Sequence, residues 1–164
     1  VHGGGEEFFV LDGVFADEHR HYPPGTYVRN PIGTSHAPRV GDGGCVIFVK
    51  LHQFDPEDGT PVVVETRTAA WPRPASSGME ELPLHRFRKE RVSLIRWAPD
   101  TEWPAHNHEG GEEIFVLEGG FRDEQGDYPA GTWLRLPHGS RHEARAGSEG
   151  ALLYVKTGHL PVSG

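Results

Sequence analysis

The chain says the same thing twice. Shifted against itself by 106 positions, the 164-residue sequence lays residues 2–50 on 108–156 without a gap, and 25 of the 49 aligned positions are identical. His2 falls on His108, Glu6 on Glu112, Glu7 on Glu113 and His36 on His142. "FVLDG" at 9–13 falls on "FVLEG" at 115–119, and "YPPGTYVRNPIGTSH" at 22–36 on "YPAGTWLRLPHGSRH" at 128–142. An ungapped match of this length means two copies of one structural unit. Two copies of about 50 residues are too few and too long for a solenoid, so each is expected to close around its own core.

Each copy reads as strands punctuated by turns. In the second, 112–117 is β-branched and aromatic and stops at Gly119-Gly120, and 121–124 is a short strand or turn. Tyr128-Pro129-Ala130-Gly131 turns, 132–136 is a strand, Pro137-His138-Gly139 turns again, and 152–156 closes the unit. Upstream, 92–97 is a strand, and Pro99-Asp100-Thr101 turns into 102–108. Between the copies lie a strand at 62–68 and the looser "AAWPRPASSGMEE" at 69–81, which reads as an inter-domain linker. Helical spacing is never held for three turns. The 22 Gly, 14 Pro and 35% hydrophobic content favour short strands joined by turns. The predicted class is all-β, sandwich or barrel, in two units spanning 1–68 and 69–164. The counterpart of 92–107 would precede Val1, so the first unit is expected to lack its N-terminal strands.

Charge and cysteine content narrow the function classes. The formal net charge is −8 and no Lys/Arg run occurs, which argues against a phosphate-backbone partner. No apolar run approaches the roughly 18–20 residues of a membrane-spanning helix. The single Cys45 excludes an intrachain disulfide and fits a reducing compartment, and no leader-like segment is read, so the expected location is cytoplasmic.

The segment "HNHEGGEE" at 106–113 offers two readings: a metal site, or a polar surface turn rich in His and Glu. In a strand, alternate side chains share a face, so His106 and His108 can both point inward. The Glu109-Gly110-Gly111 turn lets the chain bend before Glu112 opens the next strand, and His142 follows after "PHGSR". One H-x-H alone matches by accident often. Here a His–x3–Glu pair with a distant His recurs at identical spacing: His106, His108, Glu112 and His142 in the second copy, and His2, Glu6 and His36 in the first. The first copy's other histidine would fall just before Val1, leaving three donors. Imidazoles with one carboxylate suit Zn, Mn, Fe, Co or Ni better than Ca or Mg.

These residues resemble the two motifs of the cupin superfamily. The first, G-x5-H-x-H-x3,4-E-x6-G, is met by His106, His108, Glu112 and Gly119, with Asp100 in place of the leading glycine. The second, G-x5-P-x-G-x2-H-x3-N, is met by Gly131, Pro137, Gly139 and His142, and again by Gly25, Pro31, Gly33 and His36. Ala146 and Val40 stand where the pattern has its final Asn, which is not a ligand position. The phrase "GGEEIFVLEGGFRDEQGDYPAGTWLRLP" looks like the ChrR-like cupins, which include a zinc anti-sigma factor's sensing domain and diketone-cleaving dioxygenases. The resemblance implies a bicupin of two tandem jelly-roll-type β-barrels with metal ligands at the positions named. The anti-sigma helical domain needs its own His/Cys zinc motif, and nothing of that kind accompanies Cys45, so sigma-factor binding is not supported.

Other residues are read as structural. Glu7 and Glu113 should face away from the donors, toward solvent or a structural ion pair. Arg29 and Arg135 read as strand-face ion pairs, with a pocket cation as the alternative. Trp97, Trp103 and Trp133 are expected in the barrel core, Cys45 buried and inert, and His138 in a solvated turn. His19, His21, His52, His85 and His159 have no histidine partner in the repeat. Two function classes stay open. One is a metal-dependent binding or sensing bicupin for a small molecule. The other is a mononuclear metal dioxygenase cleaving a small diketone-like carbonyl compound. A purely structural metal is a third reading. Small-molecule partners and a homodimer are expected, with no nucleic acid and no membrane.

Overall fold

The computed structural model describes residues 1–72 and 78–162. They form twelve β-strands and no helix, so none is long and apolar enough to cross a membrane. The chain divides into two compact units, Val1–Ala70 and Trp71–Gly164. Of the stretch read as a linker, 69–81, residues 73–77 lie outside the described residues, and its end is corrected: Met79 already belongs to a strand.

Unit 1 holds β1 (Glu6–Ala16), β2 (His21–Tyr22), β3 (Thr26–Asn30), β4 (Arg39–Leu51) and β5 (Val62–Glu65). They make one antiparallel sheet, in the order β2-β1-β3-β5, with β4 on β1. Unit 2 holds β6 (Met79–Phe87), β7 (Glu90–Trp97), β8 (Glu102–Asn107), β9 (Glu112–Arg122), β10 (Asp127–Pro129), β11 (Trp133–Leu136) and β12 (Arg141–Thr157). Its order is β10-β9-β12-β7-β6, with β11 on β9 and β8 on β12. The repeat survives in register: β1 pairs β3 as Glu6↔Asn30 and Glu7↔Arg29, and β9 pairs β11 as Glu112↔Leu136 and Glu113↔Arg135.

The long strand β12 shapes unit 2. Arg141–Arg145 pair with β8, while Ala151–Thr157 pair with β7, and β9 pairs with Arg145, Ala146 and Ala151–Thr157. Between them the register on β9 slips from Ala146 to Ala151. Gly150 at the slip has φ 74 and lies so close to the Trp97 carbonyl that no Cβ fits. Such a bulge bends the sheet over the core, in the manner of a jelly roll. The core it wraps contains Ile95, Trp97, Ile114, Val116, Phe121, Leu153 and Val155. Each such side chain contributes roughly 1.5–3 kcal/mol on burial. Unit 1 packs Phe8, Val10, Phe15, Tyr22 and Val28 in the same way.

Several expected elements are corrected. The whole of β6 went unread because Pro83 and three charged residues, Glu80, Glu81 and Arg86, interrupt its pattern. It lies at the end of the strand order, where an edge strand tolerates a proline. β12 begins at Arg141, not at 152, because its "EARAGSEG" half has weak strand propensity and is held by pairing on both edges. β5 stops at Glu65, where Thr66 turns back to bond the Gly25 carbonyl through N and Oγ1. Trp133 is exposed rather than core, at 52%. Cys45 is only half-buried, beside the unit 1 core. Asp100, standing where the cupin pattern has glycine, takes the glycine conformation, with φ 56, which Asp tolerates better than most residues.

Candidate metal centre

The unit 2 site is assembled from three strands and one tight turn. His106 on β8 pairs directly with His142 on β12. Its ring stacks on Trp103 at 4.9 Å, and its Nδ1 lies 3.0 Å from the Pro104 carbonyl. His108 follows the end of β8. Its backbone is clamped on both sides: its N donates to the Ser140 carbonyl at 3.1 Å, and its own carbonyl accepts from Gly111 and Gly139. Gly110 and Gly111 then turn with φ 73 and 70, and a Cβ on Gly111 would press on Leu160 and the Leu136 carbonyl. Only glycine makes that turn without cost. It delivers Glu112 as the first residue of β9, beside His108.

Within this frame one donor atom from each of His106, His108, Glu112 and His142 lies within 4.8 Å of the others. The His108 Nδ1 is 3.2 Å from Glu112 Oε2, and the His108 and His142 rings are 4.8 Å apart. The cluster is nearly dry: the side chains of His108, Glu112 and His142 are 3%, 9% and 4% exposed. Burial pushes the Glu112 carboxyl up to about 7. Burial, then the neighbouring His106 and His142, push His108 down to about 4. His106 is lowered as well, first by burial. Neutral imidazoles and a carboxylate that ionises at a cost describe a place lacking positive charge. Buried His108 Nε2 has no hydrogen-bond partner. Three imidazoles, one carboxylate and an orphaned ring nitrogen fit a transition-metal ion.

Unit 1 repeats the arrangement with His2, Glu6 and His36, whose donor atoms also lie within 4.8 Å of one another. His36 Nε2 is 3.1 Å and His2 Nε2 3.5 Å from Glu6 Oε2. The same oxygen accepts from Asn30 Nδ2 at 3.0 Å, a donor whose place in unit 2 is taken by Leu136. This cluster is wetter, with His2, Glu6 and His36 side chains 18%, 14% and 8% exposed.

Behind the last histidine of each cluster stands an acid that sequence reasoning missed. Asp123 Oδ2 is 3.1 Å from His142 Nδ1, and Asp17 Oδ2 is 3.3 Å from His36 Nδ1. The signal was present: both aspartates are identical at the 106-residue offset. Glu7 and Glu113 face away from the donors, but into ion pairs rather than solvent. Glu7 bonds Arg29 and Tyr27, and Glu113 bonds His159 at 2.9 Å with Arg135 at 3.5 Å. Arg29, fully buried against Glu7 and Asp58, is thus a strand-face ion pair and not a pocket cation. His138 stays in an exposed turn and accepts the Gly110 N–H through Nδ1 at 2.8 Å.

Below the unit 2 donors is a cavity of about 20 Å³, walled by Ile95, Trp97, Ile114, Phe121 and Leu153. It has room for roughly one water. Among the described residues, the ionisable side chains lining it are the donors His106, Glu112 and His142.

The description of the ChrR cupin-like domain family matches residues 1–55 and 60–161. A comparison with curated proteins gave no match. Among solved structures, a dioxygenase candidate from Nostoc punctiforme aligns over 98% of this chain and 64% of its own, at 15% identity and TM-score 0.77. Protein Ylba from E. coli aligns over 98% and 70%, at 16% identity and TM-score 0.68. The complex of Rhodobacter sphaeroides SigE with the anti-sigma ChrR aligns over 56% and 49%, at 24% identity and TM-score 0.50. The chain thus spans about half to two thirds of the first two relatives' length. At these identities the likeness is one of fold.

Proposed function

The chain belongs to the ChrR cupin-like family, and from that premise we propose that it is a bicupin holding a divalent transition metal, Zn, Fe, Mn or Ni, at His106, His108, Glu112 and His142. A second, three-donor site is proposed at His2, Glu6 and His36. The two cupin units are taken as 1–68 and 69–164, working as a homodimer in the reducing cytoplasm. The observation that carries the reading is the buried, unpartnered Nε2 of His108 amid donors within 4.8 Å.

When bound, the ion would act as a Lewis acid toward the oxygen of a small molecule. The chain supplies the rest. Trp103 fixes the His106 ring by stacking, and the Gly110-Gly111 turn holds Glu112 against His108. The apolar wall of Ile95, Ile114 and Leu153 excludes water and favours a small ligand with a carbon face. Among the described residues, the donors are the general acids or bases that line this cavity. That favours a binding or sensing role for a small molecule. The second reading, a dioxygenase cleaving a small diketone-like compound, is supported by the open chemistry of a His₃Glu set.

Elemental analysis of protein purified without added metal, beside His108→Ala, tests the site. The expected result is bound transition metal in the wild type and a clear loss in the variant. No metal in either would overturn the reading. Oxygen uptake with Fe(II) and a panel of β-diketones separates the two roles: turnover supports the dioxygenase, and tight metal without turnover supports the sensor.

A further inference from the structure

We propose that the repeated segment Asp-Glu-x3-Tyr, Asp17-Glu18 with Tyr22 and Asp123-Glu124 with Tyr128, is a positioning device that aims the last histidine of each cluster. The inference rests on the metal reading above for its purpose, and on geometry for its substance.

The segment forms the hairpin turn between β1 and β2 and between β9 and β10. The turn is closed by Asp17 N on the Arg20 carbonyl and by Asp123 N on the Gly126 carbonyl, each at 3.0 Å. Inside it the aspartate is tied to its own turn. Asp123 Oδ1 accepts from Gln125 N at 2.8 Å and Gly126 N at 3.3 Å, and Asp17 Oδ1 from His19 N at 2.8 Å and Arg20 N at 3.0 Å. A tyrosine hydroxyl adds a third donor: Tyr128 at 2.8 Å and Tyr22 at 2.7 Å. Both carboxylates are almost fully buried, 1% and 4% exposed. With so many donors fixing it, each carboxylate cannot swing away. Its Oδ2 faces the imidazole Nδ1 of His142 or His36, and in unit 1 that oxygen also accepts the Tyr22 hydroxyl.

The neighbouring glutamate grips the same histidine from the main chain. Glu124 Oε1 accepts the Glu143 N–H at 2.9 Å, and Glu18 Oε2 the Ala37 N–H at 2.7 Å. These are the residues directly after His142 and His36. One acid therefore holds the ring and the other holds the backbone, 19 residues away in sequence in both units. A carboxylate surrounded by donors can only accept, so Nδ1 must donate and the Nε2 lone pair is left for the cluster. Partners of this type commonly change metal affinity by about 10–100-fold.

The test uses the full chain, metal-free and then titrated with Zn²⁺ against a chromophoric chelator. In the metal-free protein, long-range ¹H–¹⁵N NMR is expected to show His142 as the Nδ1–H tautomer, and Asp123→Ala to lose that preference. Asp123→Ala should also weaken Zn²⁺ binding at the unit 2 site by about 10–100-fold, as is usual for such partners. Asp123→Asn still offers an acceptor to Nδ1, so it should recover most of the tautomer and part of the affinity. A purely structural aspartate would give no such rescue at equal melting temperature. A wild-type His142 in the Nε2–H form, or Asp123→Ala binding Zn²⁺ like the wild type, would overturn the proposal. If the wild type takes up no Zn²⁺, the metal reading fails while the tautomer still decides the positioning.

Discussion

Units 1 and 2 carry the same glutamate, the same last histidine and the same acid behind it, yet their clusters differ in dryness. In unit 2 the second edge of β12 is paired at both ends, by β8 over Arg141–Arg145 and by β7 over Ala151–Thr157. In unit 1 the equivalent strand β4 pairs only with β1 among the described strands of that unit, and Val40, Val46 and Leu51 are about half exposed. The comparison separates two jobs. The repeated hairpins fix where the donors stand relative to one another. The strands outside the repeat, β7 and β8, supply a further histidine and part of the apolar wall, Ile95 and Trp97. Dryness then sets the electrostatics: Glu112, with Leu136 opposite it, lacks the amide donor that Asn30 gives Glu6.

The largest expected contrast is in metal removal. An ion held at 1,000 times its Kd adds about 4 kcal/mol, roughly 16–32 °C in Tm for a unit the size of Trp71–Gly164. Calorimetry with and without chelator should show the unit 2 transition falling by that much and unit 1 by less. Equal shifts would break the comparison.

A smaller effect concerns Glu112 without metal. Its pKa is raised from the ordinary 4.5 to about 7. The folded protein therefore binds that proton more tightly than the unfolded chain. Stability is fully present below pH 4.5 and is lost as pH rises through about 7, a cost of about 3 kcal/mol at pH 8. Glu112→Gln is expected to recover much of this in denaturant unfolding at pH 8 and nothing at pH 4. His108, lowered to about 4, opposes this, losing stability as pH falls below 6.5, but it is common to both proteins and cancels.

The smallest contrast lies at Asn30. Asn30→Leu copies the unit 2 residue into unit 1 and removes one hydrogen bond to Glu6. The expected cost is about 1 kcal/mol in the metal-free protein, read as a shifted denaturant midpoint.

How much of this was legible in the sequence follows from what the repeat encodes. Two units, an all-β class and a common spacing for His106, His108, Glu112 and His142 could be read because turns and strand alternation are local. The aspartates 17 and 123 were not singled out, since their role is a contact across 19 residues. Nor was the burial of Glu7 and Glu113. Alternation says that they face away from the donors, but not whether that face is covered. β6 and the first half of β12 were hidden for a related reason: pairing, not propensity, makes them strands.

The central claim is that one fold unit presents two unequal metal sites. It is tested most directly by competitive Zn²⁺ titration of the metal-free chain, with His108→Ala and His36→Ala alongside. Two classes of site are expected, the tighter abolished by His108→Ala and the weaker by His36→Ala. A single class of site, or a tight class untouched by His108→Ala, would contradict the account.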